Sequence, residues 1–268
     1  SLLLIFAFTV EAKSPPPGTG KADVPANIYI MLDTSGSMGA QTNTSSRLYY
    51  PYDAAVDSKG NVFIVEHNYH RIKKYDSAGN LLKTFGGYST SNGRFRYPTK
   101  IAIGPNDNIY VGDYYNHRVQ KLDNNGKWLK SFYGVRYPMG VAVDTNGNVY
   151  ASNPSISGYI RKWNSSGSYV TQWNSRYAYG LSAYGGHLYS IDYSYRQIHK
   201  YSDTGSLQAS WTVARYARPF DIEVNSNGIY LANAKNHNVQ KYTFSGLYTT
   251  GWGSYGTGNS QFRYNHGI

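Results

Sequence analysis

Five times along this chain, and a sixth time at its end, the same short phrase returns: a tyrosine or arginine, often before a proline, opens an alternating apolar run. Tyr50-Pro51 leads into Asp53-Ala-Ala-Val56, Tyr97-Pro98 into Ile101-Ala-Ile103, and Tyr137-Pro138 into Val141-Ala-Val143, with weaker copies at Tyr177-Ala178 and Arg218-Pro219. The anchors Pro51, Pro98, Pro138, Ala178 and Pro219 lie 47, 40, 40 and 41 residues apart. A period of about 40 residues is the length of one propeller blade, and a unit that small must bury its apolar face against its neighbours.

Each period divides into four short strands. In the first, Asp53 to Val56, Asn61 to Val65, Arg71 to Tyr75 and Leu81 to Phe85 are separated by turn signals, among them Ser58-Lys59-Gly60 and Asp76-Ser-Ala-Gly79. The Asp/Asn-x-x-Gly turn returns at 123–126, 144–147, 164–167 and 225–228. Glycine there supplies the positive φ that closes a tight hairpin. Repeated four-stranded antiparallel units predict an all-β fold, a β-propeller, in preference to a sandwich, because ring closure removes exposed sheet edges. Five complete units span about 47–260, and a sixth has begun at 261–268. The expected ring is six-bladed, five blades being complete in this stretch of a longer chain.

The second-to-third strand connection carries a signature: Asn68-Tyr69-His70-Arg71, Asn116-His117-Arg118 and Asn236-His237-Asn238, followed by Lys74-Tyr75, Lys121-Leu122 and Lys241-Tyr242. In these residues the chain resembles the NHL-repeat propellers. Units three and four show Gly158-Tyr159 and Arg196-Gln197 instead, so the histidine is not obligatory to a blade.

Twenty-six Lys and Arg against 15 Asp and Glu give a net charge of +11, yet only 15% of residues are charged and 29 are tyrosine. A hydrophobic content of 40% excludes a disordered polyelectrolyte. The absence of cysteine excludes a disulfide scaffold, a thiol nucleophile and a Cys-ligated zinc site. The apolar run Ser1 to Val10 is too short to span a bilayer. With small residues at Val10 and Ala12 and a Pro/Gly linker behind them, it reads as the end of a secretory signal peptide. Residues 1–25 are therefore assigned to leader and linker, 26–46 to a separate motif and 47–268 to the propeller. No membrane span is expected in the mature chain, and the location is secreted or cell-surface.

In the separate motif, an apolar strand, Ala26 to Leu32, runs into Asp33-Thr-Ser35-Gly-Ser37. An Asp-x-Ser-x-Ser sequence after such a strand resembles the first strand and metal loop of a von Willebrand factor A-type domain. The resemblance implies that Asp33, Ser35 and Ser37 give oxygen ligands to a divalent cation, Mg or Ca. It implies kinship with secreted adhesins, including pilus-tip proteins. The competing reading makes 27–32 a patch on the propeller edge and Asp33 to Gly36 a turn.

Three features recur once per unit and bear on function. The repeat histidines His70, His117 and His237 either bond neighbouring turns or ring the axis as metal ligands, the first reading being favoured. Arg-Tyr pairs precede the first strands: Arg96-Tyr97, Arg136-Tyr137, Arg176-Tyr177, Arg215-Tyr216 and Arg263-Tyr264. With Arg218 and Lys100 they are expected to form a ligand-binding rim on one face. Guanidinium and phenol groups would there meet an anionic or sugar-rich ligand. A lysine series, Lys74, Lys121, Lys162, Lys200 and Lys241, is expected to lay its stems over apolar surface. No HExxH, Gly-x-Ser-x-Gly or phosphate-cradling loop is present, so no catalytic residue is assigned. The sequence points to a non-catalytic binding or adhesion protein with a protein or glycan surface ligand. A nucleic-acid-binding propeller and a metal-dependent propeller lyase or hydrolase are the alternatives.

Overall fold

A computed structural model of the protein describes residues 48–213, 217–256, 261–262 and 267. Asp33, Ser35, Ser37, Arg215, Tyr216, Arg263 and Tyr264 lie outside the described residues, as do the proposed leader and A-type motif.

Five antiparallel four-stranded sheets follow one another along the chain. The first blade contains β1 (Pro51–Val56), β2 (Val62–Glu66), β3 (Arg71–Tyr75) and β4 (Leu81–Gly86). The second contains β5 (Pro98–Gly104), β6 (Asn108–Asp113), β7 (Arg118–Leu122) and β8 (Trp128–Tyr133), and the third β9 (Val141–Val143), β10 (Val149–Asn153), β11 (Tyr159–Trp163) and β12 (Tyr169–Asn174). The fourth holds β13 (Ala178–Tyr184), β14 (His187–Asp192), β15 (Gln197–Ser202) and β16 (Leu207–Thr212). The fifth holds β17 (Pro219–Asn225), β18 (Gly228–Asn233), β19 (Asn238–Tyr242) and β20 (Tyr248–Trp252). Each sheet pairs its strands in chain order, and the first strands line a common axial channel. This is the expected propeller of four-stranded blades. Gly267 stands against Asp53 of β1 as Gly180 stands against Asp221 of β17.

The core lies between blades rather than within them. Phe63, Val65 and Ile72 of the first blade pack on Ile101, Ile109, Val111 and Leu122 of the second. Phe132 and Val119 of the second pack on Val141, Val149 and Trp163 of the third. Each such side chain contributes about 1.5–3 kcal/mol when fully buried, which is why the alternating pattern recurs on the inner three strands and fades on the exposed fourth.

The turns follow their chemistry. Asp76 Oδ1 accepts from the backbone N–H of Ala78 at 3.0 Å and of Asn80 at 2.8 Å. Asp123 and Asp144 repeat the arrangement. These Asx turns leave the fourth position to a left-handed glycine. The lysine series also has one role: Lys74, Lys121, Lys162, Lys200 and Lys241 sit over Phe63, Tyr110, Tyr150, Tyr189 and Tyr230, the residues paired with them across the second and third strands. The stems cover the rings and the ammonium groups meet their π faces.

Candidate functional site

In four of the five blades the residue two places after the repeat tyrosine or arginine occupies an irregularity in the first strand. Register slips between Pro51 and Asp53, Pro98 and Ile101, Ala178 and Gly180, and Pro219 and Asp221. A bulge re-aims the side chain it contains. Here it turns Tyr52, Thr99 and Tyr179 into a bowl of about 1140 Å3 on one face of the propeller. The wall comes from the one-turn segments after the second strands, which carry His67, Tyr114 and Tyr115, and from the blade connections, which carry Tyr88, Arg96, Tyr97, Arg136 and Tyr137.

The rings touch in sequence. His67 stacks on Tyr52 at 4.8 Å and meets Tyr97 at 5.2 Å. Tyr97 meets Tyr115 edge-to-face at 5.2 Å, and Tyr115 meets Tyr137 at 5.9 Å. Across the bowl Tyr179, Tyr193 and Phe220 form a second cluster with centroids 4.9–5.6 Å apart. No carboxylate lines the bowl among the described residues. Burial pushes the Tyr52 phenol up to about 12 and raises Tyr114 and Tyr179, while it lowers His67 and His70. At neutral pH the charge of this surface is therefore that of Arg96 and Arg136.

The repeat histidines explain how the tyrosines are held. Tyr50, Tyr97, Tyr137 and Tyr177 all have φ between 47° and 55°, a left-handed conformation that costs a tyrosine of order 1 kcal/mol. The N–H of Tyr97 donates to His70 Nδ1 at 3.0 Å, and that of Tyr137 to His117 Nδ1 at 3.3 Å. Each histidine also meets its tyrosine ring edge-on at 4.4 Å. Each thus accepts at Nδ1 and is engaged with the next blade rather than aimed at a common axial ion. Among the described residues no group of three or more His, Asp or Glu side chains is placed to hold a metal. We expect His70→Ala and His117→Ala each to cost about 1–2 kcal/mol, read as a drop in the urea midpoint. For His70, whose pKa is lowered by burial, the wild-type advantage should shrink as pH falls below the ordinary histidine value of 6.5, because protonation removes the Nδ1 acceptor.

The rim reading needs one correction. Arg96, Tyr97, Arg136 and Tyr137 line the bowl, whereas Arg176 is exposed and neither it nor Tyr177 reaches the lining. Arg218 is exposed, its backbone N–H bonded to Asn233 Oδ1 at 2.9 Å. Lys100 does not thicken the rim at all. It is buried in the axial channel, 3.2 Å from Asp53 Oδ1 and 2.5 Å from Asp221 Oδ2. The bulge aims Thr99 at the bowl and leaves Lys100 to the axis. Sequence reasoning missed Tyr52, Tyr179, Phe220 and His67. The signal for the first three was their shared place in the repeat, two residues after the anchor tyrosine or arginine.

Inner strands converging on one axis, blades joined by apolar seams and a bowl at one mouth define a β-propeller. Residues 95–122, most of the second blade, match the NHL repeat. No curated protein sequence matches it. Among solved structures it is similar to a streptogramin B lyase, with a TM-score of 0.62 and 16% identity over 74% of this chain and 67% of that one. It is similar to virginiamycin B lyase from Staphylococcus aureus, with a TM-score of 0.61 and 14% identity over 82% and 72%. It also resembles a chain of a nidogen/laminin complex, with a TM-score of 0.67 and 14% identity over 81% and 83%. At these identities the likeness is one of fold.

Proposed function

We propose that the protein is a secreted or cell-surface, non-catalytic binding propeller that captures a protein or glycan ligand in its tyrosine-rich bowl. The observation that carries this reading is the bowl's lining: touching aromatic rings and two arginines, with no carboxylate among the described residues. Such a surface supplies stacking area and charge-assisted donors. A propeller chain from a nidogen/laminin complex supports protein binding as a use for this fold. The Asp33, Ser35 and Ser37 motif adds a Mg- or Ca-dependent adhesion site to the proposal.

The test is a solid-phase binding panel of immobilised matrix proteins and glycans, run with the full chain. Wild type binds at least one surface, Tyr115→Ala/Tyr137→Ala loses about tenfold or more in affinity, and Asp33→Ala reproduces the effect of EDTA on the cation-dependent part. Undiminished binding by the tyrosine pair variant would overturn the bowl as the site. The nucleic-acid alternative rests on the same arginines and requires a steep fall of affinity with salt in filter binding. The lyase alternative requires turnover of a streptogramin B such as virginiamycin B, which the two lyase-like folds motivate.

A further inference from the structure

We propose that the bowl's ligand is an acidic glycan, a pyranose oligomer carrying ring carboxylates, with one carboxylate seated on Arg96 and the sugar faces on the surrounding tyrosines. The inference rests on the bowl being a binding site and goes on to name what it binds.

Arginine pairing elsewhere in the molecule supplies the first argument. Where β3 and β7 begin, Arg71 and Arg118 turn their Nε edge to a buried carboxylate, Arg71 to Glu66 and Arg118 to Asp113, the latter at 2.8 Å. Arg96 makes no such pair. Its Nε is buried without a hydrogen-bond partner among the described residues, as are those of Arg161 and Arg196, but its guanidinium alone of the three lines the bowl, over the Tyr88 ring at 5.4 Å. The two terminal nitrogens of a guanidinium are a fork that fits two oxygens of a carboxylate.

The second argument is the tiling of the rings. Tyr97 against Tyr115, Tyr114 against Tyr115 and Tyr115 against Tyr137 stand at 71–89°. Neighbouring tyrosines thus alternate a flat face with a hydroxyl-bearing edge. A pyranose has the same alternation, an apolar C–H face and a girdle of hydroxyls, so it can stack on one ring while bonding the phenol of the next. Tyr88, Tyr115 and Tyr137 remain 63%, 45% and 41% exposed, leaving that surface accessible. A polynucleotide would need a cation for each phosphate it buries, and this bowl offers two arginines. An acidic peptide without aromatic residues would satisfy Arg96 but has no ring faces to meet the tyrosines.

Isothermal titration would use three probes: a galacturonic acid hexamer, its carboxyl-reduced neutral counterpart and a polyglutamate peptide. Wild type is expected to bind the uronate hexamer at least tenfold more tightly than the reduced hexamer. Arg96→Gln should weaken uronate binding at least tenfold and leave the reduced hexamer within twofold. Arg96→Lys should restore little of the loss, because an ammonium lacks the fork. Lys83→Gln, exposed on the outer strand β4, should match wild type, and unchanged melting curves verify that every variant is folded. Equal affinity for the two hexamers, binding of neither, a preference for polyglutamate, or an Arg96→Gln variant equal to wild type would each overturn the proposal. If Tyr137→Ala abolishes sugar binding while Arg96→Gln changes nothing, the bowl stands and the acid anchor falls. If neither variant moves binding, the bowl reading falls with it.

Discussion

Lys100→Ala should lower the unfolding free energy by about 3–5 kcal/mol, the usual cost of stranding buried charge by removing one partner. Spread over a chain of this size, that is roughly 10 °C or more in Tm. Lys100 crosses the axis from β5 to reach both Asp53 on β1 and Asp221 on β17. Burial works against its ammonium, but Asp221 and Asp53 outweigh that and hold its pKa above the ordinary lysine value. Without it, those two carboxylates share one channel with no counter-charge among the described residues. The triple variant Lys100→Met/Asp53→Asn/Asp221→Asn should recover most of the loss, since neutral groups of similar size carry no desolvation debt. Denaturant titration of both variants separates a charge effect from a packing effect. A small loss in Lys100→Ala would mean that solvent screens the cluster.

The same channel sets the pH dependence of the wild type. Burial, with Asp221 beside it, pushes the Glu223 carboxyl up to about 8, and burial likewise raises Asp53. Between the ordinary glutamate value of 4.5 and about 8, folded Glu223 keeps a proton that the unfolded chain has released. The unfolded state then binds fewer protons, so these groups make stability fall as pH rises through that window. Glu223→Gln should flatten this slope.

The blades were legible in the sequence because strand alternation and Asx-Gly turns are local. Arg71 to Tyr75 is β3 to the residue, and β1, β2 and β4 differ from the expected strands by one or two residues at an end. The bowl was half legible. Arg96-Tyr97 and Arg136-Tyr137 stood out as repeated pairs, but depth depends on a bulge that no residue type announces. Tyr52 and Lys100 show the consequence: Tyr52 belongs to the bowl, whereas Lys100, one column further on, belongs to the axis. The column itself held a clue. Asp53, Lys100, Gly140, Gly180, Asp221 and Gly267 occupy equivalent places, and acids, one lysine and glycines in a single column imply that they share one small space. A Cβ on Gly180 would come within 2.7 Å of Asp221 Oδ1, and one on Gly267 within 2.5 Å of Asp53 Oδ1.

The second large effect is expected at Gly246, in the turn between β19 and β20. Its φ of +81° requires a left-handed residue, and a Cβ there would lie 2.1 Å from the Trp211 ring of the preceding blade. Gly126 against Phe85 and Gly205 against Trp173 repeat the arrangement at 2.5 and 2.4 Å. The turn glycine therefore does two things: it closes a hairpin, and it lets the next blade settle flush on an aromatic of the last one. Backbone strain of about 1 kcal/mol and overpacking of about 1–3 kcal/mol together make Gly246→Ala cost roughly 2–4 kcal/mol. Gly185 isolates the first part, since its φ is +59° but nothing lies within 4 Å of its would-be Cβ. Gly185→Ala should lose only about 1 kcal/mol. The difference between the two variants in one denaturant series measures the seam between blades. Adding Trp211→Ala should erase that difference, because it removes the ring that the new methyl group strikes. If Gly246→Ala is no worse than Gly185→Ala, the seam is loose enough to yield and the glycine serves the turn alone.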